Sequence, residues 1–260
     1  MDEITSTTPE DVERWWPVPR VDSDKYSRGV VGLDTGSQQY PGAALLGCAG
    51  ALHAGAGMVR YLGEAPARLV LLRFPSVVTA DGRVQAMVLG SGWGEGAAQA
   101  RMDAALERGV PLVVDADALG LLPDELPADC LLTPHAGELA RLLGTERRRV
   151  EAEPAEHARE AAEHYGATVL LKGPTQYVCT PEGAVSTAVG GPSWTAQAGS
   201  GDVLAGACGA LLAAGVGAER AGLLAASLQA MAAVAFPGPH PPDRLAEGFA
   251  DVLGRLFPQS

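Results

Sequence analysis

Aromatic side chains make up only 5% of this 260-residue chain, so its core has to be filled by small and branched aliphatic residues. Ala, Leu and Val are abundant, which points to helices packed closely on small side chains. Positive charge is also short. The 19 Lys and Arg stand against 31 Asp and Glu, for a formal net charge of −12. That balance argues against a nucleic-acid backbone or an anionic membrane as partner, although a local basic pocket can still hold a small anion. Cys48, Cys130, Cys179 and Cys208 show no C-x-x-C spacing, and each lies in an apolar run. They read as buried free thiols of a reducing cytoplasm and offer no zinc ligand set. The five histidines form no metal-spaced cluster. No run approaches the roughly 20 apolar residues of a spanning helix, and the acidic opening MDEITSTTPEDVERWW lacks the apolar core of a signal peptide. A soluble, cytoplasmic protein is expected.

What is present is glycine and proline, 33 and 19 residues scattered between apolar runs, as many short connections require. Thr8-Pro9-Glu10-Asp11 reads as a helix start, with Thr8 as cap and acids in the first turn. Strand-like runs follow at 28–34, 57–62, 86–90, 111–116, 130–133 and 167–172, with helical stretches at 41–54, 95–108, 136–144 and 154–165. Several strands are continuous apolar runs, as expected where both faces of a parallel sheet are covered. QYVCTPEGAVSTA predicts a hairpin turning at Pro181-Glu182-Gly183, and the end is helical over 202–214, 218–235 and 242–257. The expectation is an N-terminal arm, 1–24, and one three-layer α/β domain, 25–260. Its central sheet is mostly parallel and covered by helices on both faces.

In open parallel sheets the ligand lies beyond the carboxyl ends of the strands, and the chemistry-bearing residues fall there repeatedly. The first strand runs into DTGSQQYPGAALLG, the third into LGSGWGEG, the fourth into Asp115-Ala116-Asp117, the fifth into TPHAGE with His135 and Glu138, and the sixth into Lys172-Gly173-Pro174-Thr175. Each has a plain structural reading: turn glycines, a strand end and a helix cap for the two aspartates, a cap histidine, a strand-end lysine. Their shared edge is what gives them weight. AQAGSGDVLAG, residues 196–206, carries more. Small residues before a helix let several N–H groups converge on an anion, and Asp202 falls in the first turn, where the helix dipole favours its ionised form. Two readings stay open on this stretch alone: Asp202 caps a helix, or it accepts the proton of a hydroxyl attacking a phosphoryl group held by the N–H cradle.

The AGSGD motif before a small-residue helix resembles the ribokinase-like superfamily. More narrowly, KYSRGVVG, YPGAALLGCAGALHAGAGMVR, VLGSGWG, PLVVDADAL, LLTPHAGELARLLG, LLKGPTQYVCTPEG and AQAGSGDVLAG, in order over about residues 25–215, resemble the nucleotide-dependent NAD(P)H-hydrate dehydratases. The resemblance implies a ribokinase-like fold, ADP or ATP as phosphoryl donor, Mg2+, and repair of hydrated NADH or NADPH by phosphorylating the ring hydroxyl and eliminating phosphate. It implies Asp202 as the base and Gly199, Ser200 and Gly201 as the phosphate cradle. Lys172, Gly173, Pro174, Thr175, Gln176 and Gly201 would contact the nucleotide. Ala43, Gly92, His135 and Asp202 would contact the hydrated coenzyme, while Asp115, Asp117 and Glu138 would support Mg2+ through water. It further implies a homo-oligomer, a tetramer, working with an NAD(P)H-hydrate epimerase on another chain, since only a short arm precedes Lys25.

Departures from the family pattern gather around the nucleotide: Gln176 and Gln197 stand where Thr is common, and Trp194 where smaller residues are usual. LDTGS replaces a glycine pair after the first strand, and Asp24 stands where His is frequent. Two other readings remain: a small-molecule kinase of the hydroxyethylthiazole-kinase type, and a non-catalytic nucleotide-binding protein.

Overall fold

Runs of consecutive Val, Leu and Ala become the strands of one sheet. Over residues 4–94, 98–123, 126–127 and 129–258, which the computed structural model describes, the strands are β1 (Thr5–Ser6), β2 (Val30–Asp34), β3 (Met58–Tyr61), β4 (Ala86–Leu89), β5 (Leu112–Val114), β6 (Leu131–Leu132), β7 (Thr168–Leu171), β8 (Tyr177–Cys179) and β9 (Val185–Thr187). Their order is β1-β9-β8-β7-β6-β5-β4-β2-β3. All neighbours are parallel except β7–β8 and β8–β9, and the β8–β9 pair is the expected hairpin. Its turn closes through Gly183 N–H on Thr180 O at 2.9 Å.

The helices are α1 (Pro9–Trp15), α2 (Pro41–His53), α3 (Ala67–Arg73), α4 (Gln99–Leu106), α5 (Ala136–Leu142), α6 (Arg147–Ala152), α7 (Pro154–Tyr165), α8 (Ser200–Ala213), α9 (Ala218–Ala235) and α10 (Pro242–Leu256). Strand side chains alternate between two cores. Val31, Val88, Val113, Leu131 and Leu170 pack with α2, α8, α9 and α10, whereas Val30, Met87, Leu89, Leu112, Leu132 and Val169 pack with residues of α4, α5, α6 and α7. This is the three-layer α/β architecture expected from the sequence. No helix among the described residues is long and apolar enough to cross a membrane.

Three elements were not expected: β1, α3 and α6. The stretch expected as a strand over 111–116 ends at Val114, and residues 116–121 form a 3-10 turn. Part of the helix expected over 95–108 falls on residues 95–97, outside the described ones, and α4 starts at Gln99. Near the N-terminus, α1 carries a capping box in which Thr8 Oγ1 accepts from Asp11 N–H and Asp11 accepts from Thr8 N–H. β1 adds to the sheet edge beside β9, and Val12 of α1 is fully buried. The four cysteines are free and buried.

One helix contact positions the site. α2 and α8 approach until a Cβ at Gly50 would overlap the Val203 carbonyl oxygen, and one at Gly206 would overlap the Gly47 carbonyl oxygen. Backbone touches backbone, so the start of α8 is held rigidly against α2.

Candidate active site

The start of α8 has no side-chain cap. Gly199 occupies the cap position at φ +92, a left-handed conformation that costs glycine nothing. The Ser200 N–H donates to the Gln197 carbonyl at 3.2 Å, which leaves the N–H groups of Gly201 and Asp202 for an anion. Ser200 is 8% exposed, and its buried Oγ has no hydrogen-bond partner among the described residues. From α9, Gln229 Nε2 donates to the Ser200 carbonyl at 3.0 Å and fixes the turn. A Cβ at Gly201 would lie 3.3 Å from Lys172 Nζ, so the cradle faces an ammonium group.

That ammonium belongs to a buried charge network. Lys172 Nζ donates to Asp115 Oδ1 at 2.6 Å and lies 3.8 Å from Glu138 Oε2. Burial opposes the charge on Lys172, but the Asp115, Glu138 and Asp202 carboxylates outweigh it and hold the ammonium protonated, above its ordinary range. Asp115 is 1% exposed and also accepts from Ser91 Oγ at 2.7 Å and Thr133 Oγ1 at 2.8 Å. With those donors, Asp115, on the wall of the cleft, acts as the counter-ion of Lys172. Asp117 Oδ2 accepts from Gly94 N–H at 2.8 Å.

Asp202 departs from the sequence expectation. The helix dipole favours its ionised form, yet burial and then the negative charge of Asp115 push its carboxyl up to about 7, with Lys172 pulling the other way. Desolvation and a like charge outweigh the dipole here. The outcome is a carboxylate poised near neutrality, which suits a general base.

His135 caps α5. Its Nδ1 accepts from Gly137 N–H at 3.0 Å and Glu138 N–H at 3.2 Å, while Glu138 Oε2 accepts from His135 N–H at 2.8 Å. With Nδ1 accepting, the ring proton sits on Nε2, 3.4 Å from Glu138 Oε1. The plain cap reading of His135 is thus correct, and the ring remains half-exposed at the cleft.

A cleft of about 470 Å³ brings together His135, Lys172, Gly173, Pro174, Gln176, Gly199, Ser200, Gly201 and Asp202. Thr175 is exposed and outside the lining. Ala43 and Gly92 also lie outside it but touch each other, since a Cβ at Gly92 would come within 2.6 Å of Ala43 Cβ. Ala43 stands one helical turn before Gly47, which faces the Asp202 carbonyl across the α2–α8 contact. Sequence reasoning missed the supporting residues Ser91, Thr133 and Gln229. Ser91 and Thr133 sit inside the GSG and TPH stretches and were within reach, whereas nothing local marks Gln229. Among the described residues no three His, Cys, Asp or Glu side chains converge as direct metal ligands.

The family model described as NAD(P)H-hydrate dehydratase matches residues 31–247. The chain belongs to the NAD(P)H-hydrate dehydratase family. Among dehydratase-family proteins, the bifunctional NAD(P)H-hydrate repair enzyme Nnr of Mycobacterium leprae is 46% identical over 246 residues, covering 88% of this chain and 51% of that protein. The ADP-dependent (S)-NAD(P)H-hydrate dehydratase of Neisseria meningitidis is 35% identical over 232 residues, covering 82% and 78%. The crystal structure of the Bacillus subtilis ADP/ATP-dependent NAD(P)H-hydrate dehydratase, co-crystallised with ATP and Mg2+, superposes with a TM-score of 0.88 at 25% identity, over 98% of this chain and 100% of that one. The chain spans about half the length of the bifunctional relatives it matches.

Proposed function

We propose that this chain restores hydrated NADH or NADPH to the intact coenzyme, using ADP or ATP. The observation that carries the reading is Asp202, a carboxyl pushed up to about 7 in the first turn of an uncapped, glycine-lined helix start. Asp202 takes the proton of the ring hydroxyl as its oxygen attacks the terminal phosphoryl group. Gly199 and Gly201 hold that group by backbone N–H, and Ser200, whose own N–H is taken by the Gln197 carbonyl, adds its orphan Oγ. The C–O bond then breaks to release phosphate, driven by the ring nitrogen's lone pair, and loss of a ring proton restores the double bond. Phosphorylation turns a hydroxide, a poor leaving group, into a good one, which is why a kinase-like site serves a lyase.

Lys172, Gly173, Pro174, Thr175 and Gln176 form the nucleotide side, and Ala43, Gly92 and His135 the coenzyme side. The donor set fits Mg2+ through the nucleotide's phosphates and water, with Glu138 and Asp117 as outer partners; Mg2+ supplies charge neutralisation during transfer. Asp115 is left out of that set because Lys172, Ser91 and Thr133 already occupy it. The hydrated carbon is chiral, and the Neisseria relative is named for the S form, so an epimerase serving the other form belongs to the same reading. A cytoplasmic homotetramer completes it, and light scattering of the purified protein tests the oligomer.

The direct test mixes hydrated NADH or NADPH with the protein, Mg2+ and either ADP or ATP, and follows the reduced-nicotinamide absorbance. Recovery with one nucleotide is expected, and no recovery with either sinks the reading. A stable phosphorylated alcohol accumulating in place of the coenzyme favours the small-molecule kinase.

A further inference from the structure

The cleft wall that leads into the cradle, residues 191–198, has little structure of its own. Its one regular element is the 3-10 turn Ser193–Thr195, and Trp194 at its centre is 53% exposed. The near end is pinned to α9, where Val189 N–H donates to Ser227 Oγ at 3.0 Å and a Cβ at Gly191 would come within 2.8 Å of Ala230 Cβ.

Gln197 ties down the far end. Its Nε2 donates to the Trp194 carbonyl at 3.0 Å and to the His240 carbonyl at 2.5 Å. Both partners are acceptors only, so the orientation of the amide is assigned: the nitrogen faces them and Oε1 does not. His240 lies in a segment stiffened by Pro237, Pro239, Pro241 and Pro242, each with its φ fixed by the ring. That segment also runs beside the cradle, since a Cβ at Gly199 would lie 3.5 Å from Pro242 Cγ. One proline-rich strap therefore holds the wall through Gln197 and runs beside the cradle at Pro242.

We propose that Gln197 is a positioning residue for nucleotide binding, latching the cleft wall to the proline-rich strap ahead of α10. The identity of the ligand, a nucleoside diphosphate or triphosphate, rests on the dehydratase reading. The latch acts by preorganisation. A wall already held in its bound shape loses less conformational freedom when the nucleotide arrives, so its effect falls on affinity and little on the phosphoryl step. A threonine at this position would be too short and have too few donors to span both carbonyls.

The test is calorimetric titration of ADP, with Mg2+ and without hydrated coenzyme, into the wild type, Gln197→Glu and Gln197→Ala. Glutamate keeps the size and shape of the side chain but sets acceptors against two carbonyls. Gln197→Glu is expected to weaken ADP binding about tenfold or more and to raise the nucleotide KM in step. Its kcat should fall less than threefold, with a circular dichroism spectrum like the wild type's. Should that variant misfold, Gln197→Ala carries the same comparison. ADP affinity within twofold of wild type overturns the latch, as does a fall in kcat with affinity retained. A wild type that binds neither ADP nor ATP overturns it too. Failure of the dehydratase reading shows separately, as absent recovery of coenzyme by the wild type, because the titration involves no dehydration.

Discussion

On the face of the sheet that carries α2, α8, α9 and α10, the α2–α8 pair meets backbone to backbone and leaves no room for a Cβ at Gly50 or Gly206. On the opposite face α4–α7 meet the sheet through ordinary side chains such as Met102, Leu139 and Val150. The α2–α8 contact therefore makes the first face intolerant of added volume at Gly50 and Gly206, while the second offers side-chain packing that can relax around a change. The cleft lies on the seam. Asp202 and its cradle come from the intolerant face, His135 and Glu138 from the tolerant one, and the Lys172–Asp115 pair at the strand ends joins them. The carboxyl proposed as the base thus hangs from the helix whose contact leaves no room for an added side chain.

The largest expected effect separates chemistry from packing. Asp202→Asn keeps the shape of the side chain and removes the base, so turnover should fall about a thousandfold, within the usual contribution of a positioned general base. ADP affinity should change far less. Near-normal turnover in a coupled absorbance assay would refute Asp202 as the base.

The next prediction sets the two faces against each other. Gly206→Val drives side-chain atoms into the Gly47 carbonyl and is expected to cost more than about 3 kcal/mol, the upper end of ordinary overpacking. Whatever remains folded should have lost kcat, because α8 has shifted. Leu112→Ala, fully buried on the other face at the end of β5 away from Asp115, is expected to cost roughly 2–5 kcal/mol while kcat stays within about threefold. Denaturant melts paired with rate measurements decide it. Equal kcat losses in the two variants would break the comparison.

Local signals carried the sheet and most helices. The α9 helix, 218–235, holds no proline and a single glycine, Gly222, and Pro181-Glu182-Gly183 announces the hairpin. β1 is two residues long and exists only because β9 is beside it, so no local pattern marks it. In α3 the run ARLVLLR is too short for its period to separate helix from strand. The candidate site was legible as a set of strand ends on one edge, because topology alone gathers them. Its electrostatics were not. The near-neutral Asp202 depends on burial and on Asp115, a remote part of the chain, and Gln197 reaches a carbonyl 43 residues on. Such long-range pairings leave no trace in a local window.

A smaller effect concerns the seam itself. The base works only when ionised, so kcat/KM of the free enzyme should be flat above about pH 7 and fall tenfold per unit below it. Lys172 lowers the Asp202 pKa, so Lys172→Met should move that limb to higher pH. A limb that stays in place would show that the ammonium has no hold on the base.

The smallest effect reads the same carboxyl through stability. In the unfolded chain an aspartate titrates near 3.8, whereas Asp202 in the folded protein is pushed up to about 7. Below pH 3.8 it is protonated in both states and contributes no difference. Between the two values the folded state binds the extra proton, so stability falls as pH rises, and the full penalty is present above pH 7. At 1.36 kcal/mol per unit the penalty amounts to up to about 4 kcal/mol. Asp202→Asn removes it. The variant should therefore melt several degrees above the wild type at pH 8, about 2–4 °C per kcal/mol for a chain of this size, with the gap closing as pH falls toward 4. A wild type that melts above Asp202→Asn at pH 8 would mean that the carboxylate is stabilised where it sits, and that the intolerant face holds its base without strain.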